Sequence, residues 1–226
     1  YDADTGMGGC LPISPFKDPD VKLGYADTGD WLFFTRRSRG VDTLDLCKLH
    51  IPTGEIRLVI REVCKPHLNV SLFGYHILNG GKEILWWSER TGRGNWYLYD
   101  GNGKLKRRVS RGDNLVADRV ERIDTLGRKI IFLGHGQELC ADPSYTYYYM
   151  ASLDGGGQRL LTPGDGTHEL SISPDGRYAI DTYSRMDMPH GYQVVSLHAP
   201  GKAHLFARQT DAELRRHGWQ PPMLVS

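Results

Sequence analysis

The side chain best equipped for chemistry is Arg90, in Trp87-Ser88-Glu89-Arg90. A guanidinium is a planar fork matched to a carboxylate. Arg90 therefore suits a substrate carboxylate or an ion pair across a domain interface. Its more ordinary use would be to close its own turn on Glu89 or a backbone carbonyl. The loop 134–143 carries His135, Glu138, Cys140 and Asp142, all metal-ligand types, but their spacing matches no familiar site. A surface loop is the expectation there, with no metal and no cofactor. The nine histidines make no catalytic arrangement; His168 is expected to face a central channel, and His198 precedes a turn. No G-x-S-x-G occurs, so the strained turn that presents a catalytic serine is absent. No catalytic residue is expected. Tyr145, Tyr147, Tyr148 and Tyr149 suggest an aromatic platform, but alternation sends Tyr147 and Tyr149 to one strand face and Tyr148 to the other. Packing between sheets suits that pattern better than ligand binding.

What positions these residues is a phased series of tight turns. Gly29, Gly81, Gly127 and Gly176 each precede a run of β-forming residues, at intervals of 52, 46 and 49. A second series, Gly54, Gly103, Gly156 and Gly201, follows the first by 25, 22, 29 and 25 residues. Two interleaved turns per unit define two hairpins, hence four strands. A repeat of that length with strands in every unit predicts a β-propeller built from four-stranded blades. Sandwich turns have no reason to keep phase so long. Strands are expected at 117–122, 129–133, 146–153 and 158–162 in the third unit. In the fourth they fall at 168–173, 178–182, 192–197 and 203–207. The loops between second and third strands, about 36–42, 88–95, 134–145 and 184–191, share a rim with the connectors to the next blade. Thr210-Asp211-Ala212-Glu213 has capping-box spacing and opens a short helix at 211–216.

Net charge is +1, from 28 basic and 27 acidic residues, which is no footprint for nucleic acid or anionic lipid. No stretch approaches the roughly 20 apolar residues of a membrane helix. Cys10, Cys47, Cys64 and Cys140 form no C-x-x-C pair. Across the hairpin near Gly54, Cys47 should lie opposite about Ile60. Free buried thiols are the expectation, with a Cys47–Cys64 bridge after a strand shift left open.

Several phrases together resemble the dipeptidyl peptidase IV group of serine peptidases, in the prolyl oligopeptidase family. They are Leu85-Trp86-Trp87-Ser88-Glu89-Arg90, Asn95-Trp96-Tyr97-Leu98-Tyr99-Asp100, Ser152-Leu153-Asp154-Gly155-Gly156, Ser171-Ile172-Ser173-Pro174-Asp175-Gly176-Arg177-Tyr178 and Gly218-Trp219-Gln220-Pro221-Pro222. In that family an eight-bladed propeller caps an α/β-hydrolase domain bearing the catalytic triad. The resemblance implies about four complete blades, roughly 22–66, 67–112, 113–164 and 165–209, from the later part of such a propeller. Residues 1–21 would be a remnant of a preceding blade, and 210–226 a short helix and linker toward the hydrolase domain. Partners would be that domain and a peptide substrate, with homodimerisation as one cover for exposed sheet edges. Family connectors lend an Arg or an aromatic residue to the substrate pocket. The matching segment, His67-Leu68-Asn69-Val70-Ser71, has neither, leaving His67 and Asn69 beside Arg90 as candidates for substrate or interdomain contact. No Glu-Glu pair stands ready for a peptide amino terminus. Related peptidases occupy extracytoplasmic and cytoplasmic settings; a periplasmic or secreted location is the expectation. The alternative is a freestanding propeller that binds a protein or glycan.

Overall fold

The computed structural model describes residues 20–23, 29–138, 141–199 and 203–222. Its strands form four sheets of four, each taken up in sequence order. The first holds β1 (Asp20–Leu23), β2 (Trp31–Arg37), β3 (Thr43–His50) and β4 (Glu55–Val63). The second holds β5 (Tyr75–Leu78), β6 (Glu83–Ser88), β7 (Asn95–Asp100) and β8 (Leu105–Arg108). The third holds β9 (Val116–Asp124), β10 (Lys129–His135), β11 (Thr146–Ser152) and β12 (Arg159–Leu160). The fourth holds β13 (Thr167–Ile172), β14 (Tyr178–Arg185), β15 (Met188–Ser196) and β16 (Ala203–Arg208), and the short helix α1 (Ala212–Arg216) follows. An all-β chain of antiparallel four-stranded meanders is what two hairpins per repeat require. Thr210 Oγ1 accepts the Ala212 N–H at 3.2 Å at the start of α1, one residue before the Glu213 N–H that a capping box would engage.

The turn glycines have a conformational cause, with one displacement. Gly29, Gly81 and Gly176 sit at φ 68°, 83° and 69°, where a Cβ is penalised. In the third repeat the left-handed position is instead Arg128, at φ 54°. Gly127 is needed for space, because a Cβ there would come within 2.2 Å of the Asp124 carboxylate. That carboxylate accepts the Gly127 N–H at 2.7 Å and closes the turn. Gly201 and Cys10 lie outside the described residues, as does Cys140.

The chain divides into two compact units, Tyr1–Arg90 with Tyr97–Arg107 and Thr91–Trp96 with Arg108–Ser226. The core of the first gathers Phe33, Leu44, Leu46, Ile60, Ile84, Trp86, Tyr97 and Tyr99, drawn from both of its sheets. The core of the second joins Ile131, Leu133, Tyr148 and Met150 to Leu170, Ala179, Val195 and Leu197, sheet face against sheet face. Tyr148 therefore does the packing expected of it. On the opposite strand face Tyr149 stacks on Phe132 at 5.6 Å.

Two expectations are corrected. The fourth repeat has no long loop at 184–191: β14 and β15 extend toward each other until Arg185 pairs with Met188. Arg185 forms ion pairs with Asp187, at 2.9 Å, and with Asp165, which hold the tight Met186-Asp187 turn. Cys47 lies opposite Leu58, not Ile60, because the register of β3 on β4 shifts between Leu46 and Cys47. Cys47 and Cys64 are both free thiols.

Candidate functional site

The register shift that moves Cys47 also builds the surroundings of Arg90. Leu46 pairs with Ile60 and Cys47 with Leu58, so Val59 is the extra residue of a bulge. Val59 and Ile60 are consecutively buried, and beyond them Glu62 faces inward. Bulges re-aim side chains in this way. Glu62 then collects three donors: Ser88 Oγ at 2.5 Å, Trp86 Nε1 at 3.1 Å and Arg90 at 2.8 Å. A buried carboxylate satisfied on both oxygens is a stable anchor; stripped of them it would be costly.

Arg90 is thereby fixed on several sides. Its Nε donates to Ser88 Oγ at 2.9 Å, and its guanidinium lies 4.5 Å from the Tyr97 ring centroid and 5.6 Å from that of Tyr99. Burial works against its charge, but Glu62 and Tyr99 outweigh burial and hold Arg90 above its ordinary pKa. It remains cationic at any physiological pH. The turn-closing partner expected, Glu89 or a carbonyl, is replaced by Glu62 from the preceding sheet. About a third of the side chain (31%) stays exposed.

Asn69 joins Arg90 in one crevice of about 40 Å³, whose other walls include Glu62, Cys64, Leu68, Trp87 and Glu89. That is room for a water molecule or two rather than a peptide side chain. The connector beneath is anchored by Leu68, which is buried and donates its N–H to Val41 O at 2.7 Å. His67 is exposed and does not line the crevice. The structure thus unites two of the three candidates. Glu62 and Ser88 were missed in the sequence, although Glu62 lies two residues after Ile60 and so shares its inward parity.

The remaining candidates resolve into local contacts. In loop 134–143, Glu138 accepts the Tyr149 hydroxyl at 2.8 Å, while Asp142 caps the Ser144 N–H and hydroxyl. Burial, reinforced by Glu138, raises the Tyr149 pKa. Among the described residues, no three His, Cys, Asp or Glu side chains gather as a metal set. His168 does not face an open channel. It is buried between the Tyr147 and Tyr183 rings, at 5.2 and 5.4 Å, with Nδ1 2.9 Å from both Asp181 oxygens. Its buried Nε2 has no partner among the described residues. Among the described residues no helix is long and apolar enough to cross a membrane.

A family model for the dipeptidyl peptidase IV (DPP IV) N-terminal region matches residues 20–190. The chain belongs to that family. Among solved structures, dipeptidyl peptidase 4 of Porphyromonas gingivalis superposes with a TM-score of 0.72 at 20% identity, over 92% of this chain and 28% of that one. A chain assigned as a dipeptidyl aminopeptidase IV from Bacteroides ovatus gives 0.69 at 17% identity, over 93% and 32%. Identities this low establish the fold: the four sheets match part of the dipeptidyl peptidase 4 propeller. The DPP IV-type segment described here spans about 30% of the length of these structures.

Proposed function

We propose that these residues form a non-catalytic part of a DPP IV-like propeller, gating and positioning peptide substrates for an α/β-hydrolase domain elsewhere in the same polypeptide. The observation that carries the proposal is the family match over residues 20–190, with four sheets that superpose on part of a dipeptidyl peptidase 4. The blades would be 22–66, 67–112, 113–164 and 165–209, within an eight-bladed ring, and 210–226 would lead toward the hydrolase domain. In this scheme the rim loops face the enclosed chamber, so short or unfolded peptides enter and folded proteins do not. Arg90 and Asn69 would meet the hydrolase domain or the substrate from the crevice, with His67 exposed beside it. Because Glu62 already neutralises Arg90, its role there is a fixed hydrogen-bonding wall rather than a free cation.

The test uses two preparations. This chain alone should leave Xaa-Pro chromogenic peptides intact, and the parent protein should cleave them. The proposal fails if the parent gene encodes no α/β region with G-x-S-x-G after Ser226. It fails equally if the highly purified chain itself turns over the substrate.

A further inference from the structure

The last sheet differs from the other three in what it leaves uncovered. In those three the central strands are buried in unbroken runs, four residues in β2 and β3, six in β6 and five in β7, β10 and β11. Both faces of those strands are therefore covered. In β14 and β15 burial alternates instead: Ala179, Asp181 and Tyr183, then Gly191, Gln193 and Val195, are buried, and the residues between them are not. One face of the fourth sheet packs on the third, and the other meets solvent. The open face has Tyr178 and Ile180 of β14, Tyr192 and Val194 of β15 and Phe206 of β16 at its centre, with the Phe206 ring 6.3 Å from that of Tyr192. Tyr178, Ile180 and Phe206 are 48, 46 and 59% exposed. Among the described residues of β13 to β16, alternation places one carboxylate on this face, Glu169, and no lysine or arginine. Arg177 stands at the rim, 5.6 Å from the Tyr178 ring, and is paired with Asp175 at 2.8 Å. An apolar centre inside a polar rim is the anatomy of an interface.

The repeat says what such a face receives. Counted from the turn glycines Gly127 and Gly176, Ile131 and Leu133 of β10 stand where Ile180 and Thr182 stand in β14. Their register partners correspond too, Met150 and Tyr148 in β11 for Val194 and Tyr192 in β15. In the third sheet those four side chains are buried against the fourth. The open face of the fourth is the equivalent surface, fit to take another sheet laid flat upon it. Among the described residues no other sheet leaves its central strands open, so the match that a solution of this chain offers is the same face of a second copy. We infer that the chain forms a two-fold dimer through the exposed face of its fourth sheet. An axis along the strands, between β14 and β15, lays Ile180 of each copy on Val194 of the other, because the two are register partners. It also holds the two Glu169 carboxylates at opposite edges, so no like charges meet. A contact of this self-matching kind closes on itself and stops at two copies. Strand spacing and rise make the face roughly 20 Å each way, the low end for dimers, so the dissociation constant is on the order of tens of micromolar. The inference is independent of the peptidase proposal, since it uses only this face; in a longer polypeptide a further sheet would compete for it.

Sedimentation equilibrium of the chain tests it, with a reductant present so that Cys47 and Cys64 cannot cross-link copies. Across concentrations spanning that constant, monomer should pass to dimer and to nothing larger. Ile180→Glu and Val194→Lys change positions that are not buried, so each should keep the circular dichroism spectrum of the parent chain. Each should weaken the dimer about tenfold or more, because it carries an unpaired charge into the contact. Mixing the two variants should recover dimer, since the new carboxylate of one copy then meets the new ammonium of the other. A monomer at every concentration would give the face to a different occupant and overturn the inference. Growth beyond the dimer, an unchanged dimer in both variants, or no recovery on mixing would overturn it as well.

Discussion

Glu62→Gln isolates what holds the Arg90 crevice together. The substitution keeps shape and removes charge. Trp86 Nε1 and Ser88 Oγ still need an acceptor, yet the amide offers one oxygen and turns an NH₂ toward a donor. Hydrogen bonds to charged groups contribute about 1.5–3 kcal/mol each. The Glu62–Arg90 bond belongs near the low end, because Arg90 is 31% exposed and can turn to water. Because the amide oxygen still accepts, the net loss is about one such bond, so Glu62→Gln should lower unfolding free energy by about 2 kcal/mol. Arg90→Met should cost about 1 kcal/mol, and the double variant about 1 kcal/mol less than the two added together. Urea unfolding followed by tryptophan fluorescence reads this directly, since Trp86 donates to Glu62. A coupling below about 0.3 kcal/mol, within the usual additivity error, would refute the claim that Glu62 anchors Arg90.

Two further outcomes follow from buried groups in the same unit. Asp45 is fully buried, and burial alone would raise its pKa, but Arg61 at 2.7 Å and Arg36 at 3.0 Å outweigh burial and hold it below its ordinary value. Its stabilisation is complete above the unfolded carboxyl pKa, near 4, and drains away as pH falls through the lower folded value. Asp45→Asn should therefore cost about 3 kcal/mol at neutral pH and flatten the stability curve below about pH 4; an unchanged acid limb would contradict this. Cys47, whose thiol burial pushes up to about 11, should resist iodoacetamide at pH 8 in the native chain while half-buried Cys64 is alkylated. Peptide mapping by mass spectrometry before and after denaturation distinguishes the two.

The architecture was legible because tight turns impose a chemical demand that survives in the letters. Gly29, Gly81 and Gly176 mark positions where only a residue without a Cβ is comfortable, and their phase with Gly54, Gly103 and Gly156 implies paired hairpins. The alternation of Tyr147, Tyr148 and Tyr149 was equally readable, since a strand leaves a side chain only two faces. The partner of Arg90 was not. It depends on a one-residue bulge at Val59, which changes register without leaving a compositional mark, and on a contact 28 residues away. The fourth rim loop was misjudged for a related reason. Met186 and Asp187 lack a turn glycine, and the tight hairpin rests instead on ion pairs of Arg185. Tertiary charge pairing did there what Gly does elsewhere.

The buried polar pair in the last sheet also has a consequence for alignment. Asp181 on β14 faces His168 on β13 and accepts from Gln193 on β15 at 2.6 Å; Gln193 in turn holds the Pro163 carbonyl at 3.2 Å. Sliding any one of these strands by a single residue would turn its member of the trio outward and strand a carboxylate in a dry interior. The three side chains thus act as the wards of a lock, permitting one mutual setting of three neighbouring strands where greasy contacts alone would tolerate several.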